Sequence, residues 1–281
     1  MRTPFRLAVL GAVILPLVSC RALVLEDRLP CPRFMFFDLL NSEQFDAYEK
    51  ITISAYSYPE GVLLGTDTTD VRSLSRQEFY MPIRGQEAVM GHGVLGIRQN
   101  KLENNSQWII PTGMESDPLF RFTYQAPTEQ ESFLVPVEMV KDYARLTVRF
   151  VGVESYTSTG GQFPFDILIT GNTRGIEVLT GTPIRGYFEF APTETQIGIF
   201  TFRLPRQADH ALRMELHGRP DVYEKSGLVQ TIDLWAVLYE QGGVTWEEKN
   251  LPDLEVVIDY KEMEVDVKVS EWGRETLNYH F

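Results

Sequence analysis

Met263-Glu-Val-Asp-Val-Lys-Val-Ser270 places Met263, Val265, Val267 and Val269 on one side and Glu264, Asp266, Lys268 and Ser270 on the other. Successive side chains of an extended chain point to opposite faces, so this stretch predicts a β-strand with one dry face and one wet face. A helix would scatter the four apolar residues around its axis. The same period of two sets Leu146, Val148 and Phe150 against Arg145, Thr147 and Arg149, and Leu212, Met214 and Leu216 against Arg213, Glu215 and His217. Strands that are wet on one face belong to antiparallel sheets, because parallel sheets are covered on both faces.

Working outward, further strands are expected at 51–58, 78–83, 88–97, 120–124, 165–170, 186–190, 197–204 and 254–260, separated by clusters of Gly, Pro, Asn and Asp. Many short strands with turn signals between them indicate sandwiches or barrels. Helical signal is confined to 42–48, one or two turns, and to 228–239. In the latter, apolar residues crowd around Ile232, Leu234, Trp235 and Leu238, which fits a short helix or another strand. No βαβ alternation is present, which argues against Rossmann and TIM-barrel architectures. The expected class is therefore all-β. A polar, Pro-containing stretch, Ala126-Pro-Thr-Glu-Gln-Glu-Ser132, suggests a boundary between an N-terminal sandwich over 33–128 and a C-terminal one over 129–281, which suits a chain of 281 residues at roughly 150 residues per domain.

The chain carries 26 basic and 39 acidic residues, a formal charge of -13. Such a surface repels a phosphate backbone unless its cations cluster, and no cluster is visible, so nucleic acid is excluded as a partner. Catalytic and metal-binding patterns are absent as well. His92, His210, His217 and His280 are scattered, and none are paired at the i, i+4 spacing of a zincin. There is no GxSxG and no phosphate-binding glycine loop. Asp67-Thr-Thr-Asp70 lacks the dense oxygen ligands of a calcium loop. No enzyme, metal or cofactor is expected. Trp108, Trp246 and Trp272 lie in or beside expected loops and could stack on sugar rings, although core packing is the commoner use of Trp.

The N-terminus opens MRTPFRLAVLGAVILPLVSC. Arg2 and Arg6 precede an uncharged run from Leu7 to Val18, too short for a bilayer core of about 30 Å but right for the h-region of a signal peptide. The run ends Leu17-Val18-Ser19-Cys20, which resembles the lipobox of bacterial lipoproteins. That resemblance implies a signal peptide over 1–19, lipidation of Cys20, and a tether over 20–32. Removing the signal takes the charge to -15, so the acyl chains, not attraction to anionic lipid, must hold the protein at its membrane. With Cys20 lipidated, Cys31 has no partner left in the chain, which closes off an intrachain disulfide.

A lipobox Cys, a short acidic tether, Cys31-Pro32 leading into the first strand and two successive β-rich segments together resemble the FimB-type fimbrial anchor subunits of Bacteroides-like bacteria, within the fimbrillin superfamily of type V pili. The resemblance is carried by Phe45-Asp46 to Tyr58, by 133–153, by Asp166 to Gly171 and by the closing VVIDY and VDVKVSEW segments. The glycine-rich Val89-Met-Gly-His-Gly-Val94 matches the usual end of the first domain only weakly. The resemblance implies two tandem transthyretin-like sandwiches in an outer-membrane lipoprotein that anchors a fimbria at the cell surface. Its implied partners are the stalk subunits, joined by strand complementation. In such pili a stalk subunit loses its first strand to proteolysis after an Arg, whereas an anchor keeps it. Met263, Val265, Val267 and Val269 are the candidate strand-exchange contact; the other reading makes them a permanent strand of their own domain. Arg72 and Arg76, in a loop-like stretch at 68–77, would be a protease site in a stalk or tip subunit. Two rival functions remain open: a surface carbohydrate-binding lipoprotein, and a tip adhesin of the same pilus.

Overall fold

The computed structural model describes residues 32–47, 49–85, 88–152, 161–220, 227–259 and 264–270. The signal segment, Cys20, Cys31, Met263, Trp272 and His280 lie outside the described residues. The chain is all-β. Its first half contains β1 (Arg33–Leu39), β2 (Lys50–Ser57), β3 (Leu63–Asp70), β4 (Tyr80–Ile83), β5 (Ala88–Leu95), β6 (Lys101–Glu103), β7 (Gln107–Ile109), β8 (Phe120–Pro127), β9 (Ser132–Val137) and β10 (Val140–Lys141). Its second half contains β11 (Tyr143–Val151), β12 (Phe165–Glu177), β13 (Thr182–Phe190), β14 (Glu194–Gln196), β15 (Ile199–Pro205), β16 (Arg213–Gly218), β17 (Gly227–Ile232), β18 (Asp253–Asp259) and β19 (Glu264–Ser270). Helices are short: α1 (Val71–Ser75), and α2 (Leu234–Ala236), which continues as a π turn through Val237–Gln241. The segment 228–239 thus divides into a strand and a helix.

Among the described residues, four sheets form two layered cores. In the first half, the order β4-β1-β9 faces β10-β8-β5-β2-β3; in the second, β14-β15-β11-β18-β19 faces a sheet built on β17-β16-β12. The alternation read from sequence holds residue by residue: Leu146, Val148 and Phe150 of β11 and Met214 and Leu216 of β16 are buried in the second core. Two pairings depart from the antiparallel expectation, since β1 runs parallel to β9 and β11 parallel to β18. Each half thereby places its first strand between one antiparallel and one parallel neighbour. A strand buried in that middle position needs a crossover to bring its parallel partner back, and local periodicity carries no trace of it.

Two strand pairings run across the position of the expected boundary near 128. Strand β9 lies beyond it, yet pairs with β1, and Val135, Val137 and Met139 belong to the first core. Conversely, the β6–β7 hairpin lies before it, yet β7 pairs with β12, with Trp108 opposite Ile176. Trp108 is fully buried in a third cluster with Val94, Ile110, Leu119, Ile176 and Val178, which draws on both halves. Gly175 makes that contact possible, because a Cβ there would stand 2.1 Å from the Trp108 carbonyl oxygen. The glycine motif finds its reason in β5: a Cβ on Gly91 would meet the Ser54 carbonyl oxygen at 2.1 Å and the Tyr124 hydroxyl at 2.5 Å. Tyr124 stands opposite Gly91 on β8 and uses the vacated space.

Candidate functional site

Strand β1 fills a slot. Met35, Phe37 and Leu39 point into the first core, each contributing about 1.5–3 kcal/mol through burial. On the outer face, Phe34 and Phe36 pack against Tyr80 of β4 at ring-centroid distances of 5.3 and 5.6 Å. Removing β1 would leave β4 and β9 without their shared partner. The stretch expected as a loop around Arg72 and Arg76 is ordered instead. Thr68 to Asp70 end β3, and α1 buries Val71 and Leu74 in the first core, so its turn is held by packing.

Most sheet edges are blunted. Strand β4 carries Pro82 and β9 carries Pro136, which remove backbone donors, while β6, β10 and β14 are only two or three residues long. The longer edges among the described strands are β3, β19, β17 and β13, the last pairing only with β12. Strand β19 pairs with β18 through Leu254 opposite Val269, Val256 opposite Val267 and Ile258 opposite Val265. Val267 is buried, and Val265 and Val269 pack on the second core. These three residues therefore have a place in their own sheet, and the far side of β19 has no neighbouring strand among the described residues.

At the junction of the halves a charge network is buried. Asp142, 0% exposed, stands just before β11 and pairs with Arg121 of β8 and with Arg206 after β15. Arg206 Nε and Nη2 donate to Asp142 Oδ1 at 3.0 and 2.9 Å, and its Nη1 donates to the carbonyls of Trp246 and Glu248. Nearby, Asp117 Oδ2 accepts from the backbone N–H groups of Arg98, Gln99 and Asn100 at 2.6 to 2.8 Å, fixing the approach to the β6–β7 hairpin. Lys141 is buried too, and donates to the Leu251 carbonyl at 2.8 Å and to Asp253 at 2.7 Å. Burial pushes the Lys141 ammonium below its ordinary pKa, and the Asp253 carboxylate opposes that shift.

Arg121 and Arg206 also border a cleft of about 1020 Å³. Its wall is an aromatic stack: His210 lies on Trp235 at 3.6 Å between ring centroids and 20° between planes, and Trp235 lies on Tyr239 at 4.7 Å and 16°. Trp235 and Tyr239 are four residues apart across α2 and its π turn, so both project from one side. Asp233 caps this turn by accepting from the Ala236 N–H at 3.0 Å, and Arg213 Nη1 donates to the same oxygen at 2.9 Å. Asp233→Ala is expected to lower stability by about 1 kcal/mol, read as a drop in urea midpoint, and to loosen the stack, read as a change in tryptophan fluorescence.

Of the tryptophans weighed for sugar stacking against core packing, Trp108 is fully buried and Trp246 is 8% exposed, so both pack. Trp235, which the sequence reading assigned only to an apolar cluster, is the one in the aromatic stack. The Trp235-to-Tyr239 spacing behind the capping Asp233 was the available signal. His92 is buried, His217 pairs with Glu215 at 2.9 Å, and His210 lies in the cleft. Among the described residues, no three His, Cys, Asp or Glu side chains gather as a metal site, and no helix is long and apolar enough to cross a membrane.

No protein-family model matches the chain, and no curated protein does. Solved structures do. The fimbrial anchor protein Mfa2 of Porphyromonas gingivalis superposes with a TM-score of 0.59 at 13% identity, over 86% of this chain and 98% of that one. The two proteins share a fold. A candidate polysaccharide-binding protein of Bacteroides thetaiotaomicron shares it with a TM-score of 0.59 at 12% identity, over 88% of this chain and 98% of that one. A candidate adhesin of Bacteroides ovatus does so with a TM-score of 0.54 at 14% identity, over 90% and 97%. At these identities the likeness is one of fold, and it covers 86–90% of this chain.

Proposed function

We propose that this protein is a structural subunit of a fimbria, held at the outer membrane by lipid on Cys20, with β1 kept as a permanent strand of its first half. The connection behind β1 carries this reading. Residues 40–49, which lead into β2, contain neither Arg nor Lys. Lys50 is already the first residue of β2 and pairs with Asp70 at 2.7 Å. The first Arg after β1 is Arg72, inside α1 and beyond β3, so cleavage there would strip away three strands and much of the first core. A fold tethered through its own N-terminus keeps its lipid only if that strand stays attached. The fold shared with a fimbrial anchor supports the same role.

Contact with the next subunit falls to β19. Its Val265, Val267 and Val269 remain on their own core, while its open backbone edge templates an incoming strand by main-chain hydrogen bonds. Mass spectrometry of the N-terminus of the native protein tests the reading: a chain beginning at acylated Cys20 is expected. A native chain that begins after Arg72 or Arg76 overturns it. Cys20→Ala is expected to shift the protein, and fimbriae with it, from the cell to the medium; fimbriae that stay attached to cells count equally against the anchor.

A further inference from the structure

The junction cleft has no part in anchoring or strand pairing, and the geometry points to a second activity there: the cleft binds a pyranose oligosaccharide against Tyr239, the end ring of the His210–Trp235–Tyr239 stack. Four features converge on it. The first is size, since about 1020 Å³ lies at the upper end of the roughly 300–1,000 Å³ typical of ligand sites, room for more than one sugar ring. The second is a flat aromatic wall. Tyr239 is 49% exposed at the end of the stack, and an exposed ring face with its negative quadrupole attracts the polarised C–H groups on the face of a pyranose.

The third feature is the polar lining. Arg185 borders the cleft, is exposed, and has no ion pair among the described residues, so its guanidinium is free to donate to sugar hydroxyls. Asp209 lies beside His210 and is held in place by Asn172 Nδ2 at 2.7 Å and the Ala211 N–H at 3.1 Å, which leaves further acceptor capacity on its carboxylate. The fourth is an unpaired donor. Trp246 lines the cleft, and its indole N–H, covered from solvent, has no acceptor among the described residues. A buried donor left unpaired is costly, so a sugar hydroxyl that reaches it forms a bond the free protein lacks.

The platform is also rigid before any ligand arrives. Asp233 caps the turn that carries Trp235 and Tyr239, and Arg206, clamped by Asp142, holds the 246–249 segment that also lines the cleft. Preorganisation of that sort reduces the ordering cost of binding. The turn is of π type, a local departure from α-helical geometry that recurs at functional positions.

The full chain, purified in detergent, is to be applied to an array of neutral and acidic di- to hexasaccharides, and the retained sugars titrated by calorimetry. Binding is expected, and Tyr239→Ala is expected to weaken it by about tenfold or more, because the exposed stacking face is lost. Tyr239 is half in solvent, so the fold survives the change, and an unaltered urea midpoint confirms that it has. Arg185→Ala, also at the surface, is expected to weaken binding without moving that midpoint. Silence across the array at millimolar sugar overturns the inference. So does a retained sugar whose affinity is unchanged by both Tyr239→Ala and Arg185→Ala. Because the assay uses the isolated chain, it stands or falls separately from the anchoring role.

Discussion

Asp142→Ala lowers the free energy of unfolding by about 3–5 kcal/mol, the range for removing one member of a buried ion pair. The carboxylate is fully buried and serves two guanidinium groups, Arg121 at 14% and Arg206 at 9% side-chain exposure. Without it, two cations remain in a poorly solvated junction with only backbone carbonyls to accept from Arg206. Urea unfolding at neutral pH measures the effect. The double variant Asp142→Ala, Arg206→Met is expected to recover part of the loss, because it removes a stranded charge along with its partner. A double variant whose loss equals the sum of the two single losses would show that the two side chains do not act as a pair.

Acid sensitivity at a single buried histidine is the second expected result. His92 lies in β5 between β2 and β8, is fully buried, and neither ring nitrogen has a hydrogen-bond partner among the described residues. Burial, with a smaller contribution from the Arg121 charge, brings its pKa from 6.5 down to about 4. The Asn105 backbone opposes that shift, but its carbonyl accepts from the Tyr56 hydroxyl at 3.0 Å and makes no well-formed bond to the ring. Between these two pKa values the unfolded chain holds a proton that the folded chain does not. Stability is therefore complete above about pH 6.5, falls as the pH drops, and stops falling from this cause below about pH 4.

At pH 5 the histidine alone removes about 2 kcal/mol relative to neutral pH. His92→Leu is expected to flatten the pH dependence by that amount, whatever its effect at pH 7. Parallel stability curves for the two proteins between pH 7 and pH 5 would show that His92 does not titrate as its surroundings require. The second core carries no described histidine inside it, so the acid step is expected in the first half, where amide exchange of β2, β5 and β8 should speed up first.

The two results bear on the proposed roles in different ways. Asp142 pairs with Arg121 and Arg206, which both line the cleft, so its loss should weaken sugar binding as well as stability. His92 lies in the half that holds β1, so acid conditions that loosen this half would expose the edges that β1 normally joins. Neither effect calls for metal or cofactor chemistry.

Much of the architecture was legible in the residues themselves. Alternation in β11, β16 and β19 follows from the pleat, which sends neighbouring side chains to opposite faces wherever the strand lies, and the wet face of each is charged because water is on that side. The Gly-x-Gly of β5 was visible, but its purpose was not, since Tyr124, the ring that needs the space, is more than thirty positions away. Trp108 takes the commoner use of a Trp, core packing, but the core it would join was not legible for the same reason. Its surroundings come from Val94, Leu119 and Ile176, and a short strand between turns reads locally as a loop.

The sequence by itself determined that the chain is all-β, which face of each long strand is dry, and that its only greasy N-terminal run ends at Cys20. These are properties of neighbours along the chain, where the spacing of side chains is set by backbone geometry. The tertiary structure alone decided that β1 lies between β4 and a parallel β9, that the β6–β7 hairpin joins the sheet of the other half, and that His210, Trp235 and Tyr239 form one wall. Those outcomes depend on which distant surfaces exclude water from each other most completely, and that competition among whole faces is not written in any local period.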